Sequence, residues 1–141
     1  MSQGPLALEG DQLCPCTREG ANGKSLHFSA CCGQYLQSDV AAPDAHSLMR
    51  SRYSAFVLQR EAYLLATWHT STRPVQLDFD TTGKWLGLEL RKALASSPTE
   101  AEVEFIARFK PAGASAWRLH ARSRFVLQEG RWWYVDGVQL A

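Results

Sequence analysis

The sequence predicts an α+β fold: two helices laid against one antiparallel sheet, with a small cysteine knuckle ahead of them. Three observations carry this. Four cysteines stand in two pairs, Cys14-Pro15-Cys16 and Cys31-Cys32, with fourteen residues between the pairs. From Asp44 to Trp68 the apolar residues recur at helical spacing. After Pro74 the period changes to two and stays there. Helices first and strands afterwards, without interleaving, is the order expected of an α+β chain.

Size and composition set the outer bounds. The chain has 141 residues, enough for one domain with a small appendage. It is 45% apolar and 11% aromatic, with five Trp, so a real core is within reach. A formal net charge of +1 gives no electrostatic footprint for nucleic acid. No apolar run is long enough to cross a membrane. The first residues, MSQGPLALEGDQ, have neither a basic start nor an apolar stretch, so no secretory signal is expected. The expected compartment is therefore the reducing cytoplasm, where clustered cysteines more often hold metal than form disulfides.

The elements follow in order. Residues 1–12 read as a leader and residues 13–36 as the cysteine segment, polar and punctuated by Gly20, Gly23 and Gly33. A link runs from Gln37 to Pro43. Asp44 then caps a helix. Leu48, Arg52, Ala55, Phe56 and Gln59 form its stripe, widened by Met49 and Tyr53. Arg50, Ser51, Ser54 and Arg60 fall outside the stripe. Arg50, Arg52 and Arg60 together read most simply as solvated helix surface. A second helix runs from Glu61 to His69, with Tyr63, Leu64, Leu65 and Trp68 buried.

Strand-like alternation follows at Val75–Phe79 and again at Leu86–Leu90, where the leucines oppose Trp85, Gly87 and Glu89. Val103, Phe105, Ala107 and Phe109 share a face. So do Trp117, Leu119, Ala121, Ser123 and Phe125, opposite Arg118, His120, Arg122 and Arg124. A last strand spans Trp132–Asp136. Short turns between these runs predict an antiparallel meander.

The cysteines point to zinc. Four thiolates surround Zn²⁺ as a tetrahedron with bonds of about 2.3 Å. Pro15 bends the chain between Cys14 and Cys16. The adjacent Cys31 and Cys32 reach one ion only across a sharp turn, which Gly33 permits. Arg18 and Lys24 are placed to offset the excess negative charge. A closed site of this kind is structural. Buried free thiols, a redox pair, His27 in place of one cysteine, and another metal remain the alternatives.

The segment resembles the SEC-C motif, a small zinc-binding module whose usual form is Cys-x-Cys, a shorter loop, then Cys-Cys or Cys-His. Gly23-Lys24-Ser25 matches part of its loop, and Thr17 stands where glycine is commoner. The remainder resembles the YchJ family of bacterial proteins, on Leu48–Phe56, Tyr63–His69, Ser71-Thr72-Arg73-Pro74, Trp85-Leu86-Gly87-Leu88, Val103-Glu104-Phe105, Leu119-His120, Ser123-Arg124-Phe125 and Trp132–Gly137. That family joins a SEC-C motif to a nuclear-transport-factor-two-like domain. The resemblance implies two parts. Residues 1–36 are a leader and zinc segment, and residues 37–141 are a cone in which helices pack on a curved sheet around a pocket. It implies no activity.

Candidate pocket residues are His69, Arg73, Trp85, His120 and Arg124. His69 either caps a helix end or stands at the mouth of the cone. Arg73 and Arg124 either pair with Glu104 or Asp78, or bind a small anionic ligand. His120 and its neighbouring arginines form either a solvated sheet face or an anion-binding wall. Trp85 lines that wall or belongs to the core. The aromatic run Trp132-Trp133-Tyr134 is compatible with a homodimer. The favoured reading is a zinc-binding protein that acts as an adaptor for a protein partner or as a small-ligand-binding module. The alternative is an acid–base enzyme using His69 or His120. No Ser/His/Asp order, paired carboxylates, phosphate loop or His-Glu-x-x-His is present.

Overall fold

A computed structural model describes residues 11–38 and 40–140. The leader expected over residues 1–12 lies almost wholly outside them. A 3₁₀ turn at Phe28–Ala30 precedes three helices: α1 (Gly33–Leu36), α2 (Ala45–Val57) and α3 (Glu61–Ala66). Four strands follow: β1 (Lys84–Ser97), β2 (Glu100–Lys110), β3 (Trp117–Gln128) and β4 (Arg131–Gln139). They form one sheet in the order β1-β2-β3-β4, every neighbouring pair antiparallel. The predicted meander is what forms.

The helix start is where the sequence puts it. Asp44 has extended backbone angles, and its Oδ1 accepts a hydrogen bond from Ser47 N–H at 2.7 Å. One otherwise orphaned amide is thereby satisfied. Asp44→Ala is expected to cost about 1 kcal/mol. The loss reads out as a lower urea midpoint at constant slope; an unchanged midpoint would mean that the cap is dispensable.

Helix α2 is covered on nearly every side, which its stripe alone does not predict. The cysteine segment lies on one flank, α3 on another, and the sheet beneath. Ser51 and Ser54, expected on the surface, are fully buried. Ser51 Oγ meets Tyr63 Oη at 2.7 Å, which joins α2 to α3. Small hydroxyl side chains let the neighbouring elements approach closely while keeping their own polar atoms bonded. Arg52 is also buried, at 3% exposure, so it is no part of a solvated arginine surface.

Two strand expectations are corrected. Residues 75–79 form no strand, and Val75 is 95% exposed. The Leu77 amide donates instead to Glu61 Oε2 at 2.7 Å, so a side chain at the start of α3 takes the hydrogen bond a ladder would have made. In β1 the leucines do not all share a face. A bulge falls between Trp85 and Gly87, whose φ is +153°, a region where a side chain would be strained. The extra residue swaps the alternation. Trp85, Leu88 and Leu90 sit opposite Phe109, Ala107 and Phe105, all toward the helices, while Leu86 is exposed.

Strands β2 and β3 keep the predicted alternation. Val103, Phe105, Ala107 and Phe109 meet Ala121, Ser123 and Phe125 in the core. Phe125 is almost fully buried and packs edge-on against Tyr134. That core continues without a break into the cysteine segment: Cys14, Cys16, Phe28, Cys31 and Cys32 belong to the same buried cluster as Leu48, Met49, Tyr53 and Val103.

Candidate metal centre and interior cavity

The long loop between the cysteine pairs returns as a small hairpin. Isolated bridges join Leu13 to His27 and Glu19 to Ser25. Cys14 N–H donates to the Leu26 carbonyl at 3.0 Å, and Phe28 N–H to the Gln12 carbonyl at 2.7 Å. Extra residues beyond the usual motif length therefore lengthen a hairpin and leave its base, where the cysteines stand, intact. Thr17 has φ of +62°, a left-handed conformation that costs a β-branched residue energy and that glycine would adopt freely. Its hydroxyl donates to the Cys16 carbonyl.

Cys31 and Cys32 both face inward because the chain kinks at Cys31 itself (φ −132°, ψ −118°) before Cys32 enters the helical region. Gly33 is needed for a different reason than the turn expected of it. A Cβ there would lie 2.6 Å from the Phe28 carbonyl oxygen, so only glycine lets α1 rest against the 3₁₀ turn.

The four sulfurs converge, all within 4.8 Å of one another, with Cys16 Sγ and Cys31 Sγ 3.5 Å apart. A tetrahedron with bonds of about 2.3 Å has edges of about 3.8 Å, so the spacing fits a single metal ion. All four cysteines are buried and unbridged. His27 is exposed and outside the cluster, which removes it as an alternative ligand.

The four sulfurs hydrogen-bond to one another, so the ionisation of each depends on the others. Hydrogen bonds from Cys16, Cys31 and Cys32 hold the Cys14 thiol far below its usual range. At Cys16 the bond to Cys14 pushes up, those from Cys31 and Cys32 pull down, and the thiol settles at about 7. Cys31 and Cys32 are driven upward, chiefly by Cys14 and then Cys16. All four can ionise together only against a cation.

Helix α2 closes the cluster from the other side. Ser54 Oγ lies 3.6 Å from Cys14 Sγ, and Arg50 Nη1 donates to the Cys16 carbonyl at 2.8 Å. Arg18, expected to offset thiolate charge, donates to Ser47 Oγ at 3.1 Å, and Lys24 is exposed on the hairpin. The sulfurs thus sit beneath a helix and not on a free-standing knob.

The pocket candidates do not converge. His69 lies beyond the end of α3 and clips it to β4: its amide donates to the Tyr134 carbonyl at 2.7 Å, and its ring meets Ser71 and Gln128. Arg73 Nε donates to the Trp68 carbonyl at 2.8 Å and pairs with neither Glu104 nor Asp78. Arg124 makes a two-pronged pair with Asp136, its cross-strand neighbour, both contacts at 2.7 Å. His120 Nε2 meets Glu104 Oε2 at 2.7 Å on the sheet face away from the helices. That hydrogen bond holds the Glu104 carboxyl below its ordinary range. Acids from β2 and β4 match His120, Arg122 and Arg124 of β3 there, while Arg118 lies opposite Arg108, so most of the expected anion-binding wall is a self-neutralised solvated face.

Trp85 alone lines an interior space. It stands between Tyr53, Phe56, Phe109 and Trp117, with ring centroids 4.9–6.1 Å away. On one side is a cavity of about 200 Å³ between α2 and the sheet, bounded by Arg52, Phe105, Leu119, Ser123 and Tyr134. On the other is an open groove of about 420 Å³, floored by Trp85, Phe109 and Trp117 and rimmed by Asp78, Asp80 and Lys84. Neither contains His69 or His120. Arg52 and Ser123 were missed as site residues, although each left a signal. Arg52 stands in the apolar stripe with Leu48 and Phe56, and Ser123 is the polar position on the inward face of β3.

A family model described as the middle NTF2-like domain of YchJ matches residues 44–137, two thirds of the molecule. The chain belongs to the YchJ family. A UPF0225 protein of Polaromonas sp. strain JS666 is 58% identical over 135 residues, covering 94% of this chain and 97% of its own. A SEC-C motif containing protein from Rhodopseudomonas palustris, solved in solution, superposes with a TM-score of 0.76 at 29% identity, covering 92% of this chain and all of its own. A crystal structure of another, from Psychrobacter arcticus, gives the same TM-score at 28% identity, over 94% of this chain and 85% of its own. The YchJ assignment, the nuclear-transport-factor-two-like fold and the SEC-C likeness agree with the residues quoted for them above. Among the described residues no helix is long and apolar enough to cross a membrane.

Proposed function

We propose that this chain is a zinc-stabilised binding module. Cys14, Cys16, Cys31 and Cys32 hold one structural Zn²⁺, and the interior of the α+β body receives a small ligand. The supporting observation is the convergence of four buried sulfurs within 4.8 Å of one another. An all-thiolate tetrahedral set favours zinc or iron–sulfur chemistry, and a single-ion spacing favours zinc. With four protein ligands no position is left for substrate, so the ion supplies a cross-link and no reaction step. A reducing cytoplasm suits four free thiols. The acid–base reading has less behind it, because His69 and His120 both lie outside the cavity and each is spent on a neighbour.

Protein purified without added metal is expected to carry about one zinc per chain. Protons compete with the ion for the sulfurs. The affinity for the ion therefore falls as the pH is lowered and protons take the sulfurs, and the ion is released on acidification. A chromogenic chelator should report release on acidification to about pH 5. A metal ratio near zero with four reactive thiols at neutral pH would sink the proposal.

A further inference from the structure

Arg52 is the one buried charged side chain among the described residues. Its Nη1 donates to the Leu64 carbonyl at 2.8 Å and to Thr67 Oγ1 at 2.7 Å. Its guanidinium carbon lies 4.3 Å from the Tyr134 ring centroid and 4.9 Å from that of Trp68. Ring faces ease the burial of a cation but bring no counter-charge. Among the described residues the ion pairs are Arg91–Glu89, His120–Glu104, Arg122–Glu102 and Arg124–Asp136, so no carboxylate pairs with Arg52. Buried charges are ordinarily paired, since an isolated one in a low dielectric is costly.

Arg52 borders the 200 Å³ cavity. So does Ser123, which is 4% exposed and whose hydroxyl makes no hydrogen bond among the described residues. A lone cation and an unpartnered hydroxyl thus share a space otherwise walled by apolar groups such as Met49, Phe105 and Leu119. Phe56 and Trp85 line both this cavity and the open groove.

We propose that the cavity takes a small apolar monocarboxylate, its carboxylate against Arg52 and Ser123 and its hydrocarbon body against Phe105, Leu119 and Trp85. The proposal rests on the binding-module reading above and names its ligand class. At about 30 Å³ per water the space equals about seven waters, which suits an acid the size of phenylacetate. A guanidinium offers the planar fork that matches a carboxylate. A phosphate dianion is a poor match, because one cation and greasy walls cannot replace its hydration.

The test titrates the intact, zinc-loaded chain with phenylacetate and with its neutral isostere, phenylacetamide. Tryptophan fluorescence and backbone amide shifts report binding. The acid is expected to bind at least about tenfold more tightly than the amide, a margin set by one charge-assisted pair. Shifts should centre on Arg52, Ser123 and Trp85. Arg52→Met should bring the acid down to the affinity of the amide while leaving the amide unchanged. Should that variant fail to fold, the acid-to-amide ratio on the unaltered chain decides, together with Ser123→Ala, which is expected to weaken the acid more than the amide. Equal binding of acid and amide overturns the carboxylate assignment and leaves the binding module standing. Binding of neither overturns both.

Discussion

Cys32→Ser is expected to destabilise the whole chain, not only residues 13–36. Cys32 is 1% exposed and belongs to the same buried cluster as Leu48 and Tyr53. If the four cysteines hold zinc as proposed, losing one ligand leaves the remaining thiolates converged beneath α2 with the neutralising cation weakly held. Structural zinc contributes about 10–16 kcal/mol in small finger peptides, whereas a whole domain is stable by about 5–15 kcal/mol. Even a fraction of that zinc contribution is a large share of the total. The thermal midpoint should therefore drop by more than about 10 °C, in a single transition. Amide protection across Ala45–Val57 should fall together with that of the cysteine segment, because Ser54 and Arg50 of α2 contact Cys14 and Cys16 directly. Metal-free protein that keeps full protection in α2 would show that the two parts fold independently.

Phe28→Ala carries the second large effect. Phe28 is fully buried in the 3₁₀ turn, and its carbonyl accepts the Cys31 amide at 3.0 Å. It also lies under Gly33, whose missing side chain makes room for it. Truncating a buried phenylalanine costs about 3–5 kcal/mol, part lost transfer energy and part cavity. Zinc stoichiometry should survive, since no ligand is touched, while the urea midpoint falls at constant slope. An early, separate unfolding step confined to the cysteine segment would contradict a shared core. So would a loss below about 0.5 kcal/mol, the usual size of a surface substitution.

The two parts of the site were unequally legible. The convergence of the cysteines could be read because its evidence is compositional: every cysteine of the chain stands in two tight pairs. The cavity could not be read, because a pocket belongs to the space between elements. His69, Arg73, His120 and Arg124 looked available only while their partners were unknown. Glu104 lies sixteen residues before His120 and Asp136 twelve after Arg124, and cross-strand pairing brings each within 2.7 Å. Arg52 was misplaced for the converse reason. An arginine on a helix is usually solvated, and its burial depends on Trp68 and Tyr134 arriving from α3's end and from β4.

Local chemistry determined by itself the helix start at Asp44, the order of helices and strands, the meander and the convergence of the sulfurs. Each rests on neighbours close in sequence or on a period that survives any packing. Tertiary structure alone decided which way Trp85 faces, since a one-residue bulge at Gly87 inverts the alternation before it. It also decided that the cysteine segment shares a core with α2, and that one arginine is enclosed without a counter-ion. Those outcomes depend on which surfaces meet, and contact between distant surfaces leaves no period in the chain.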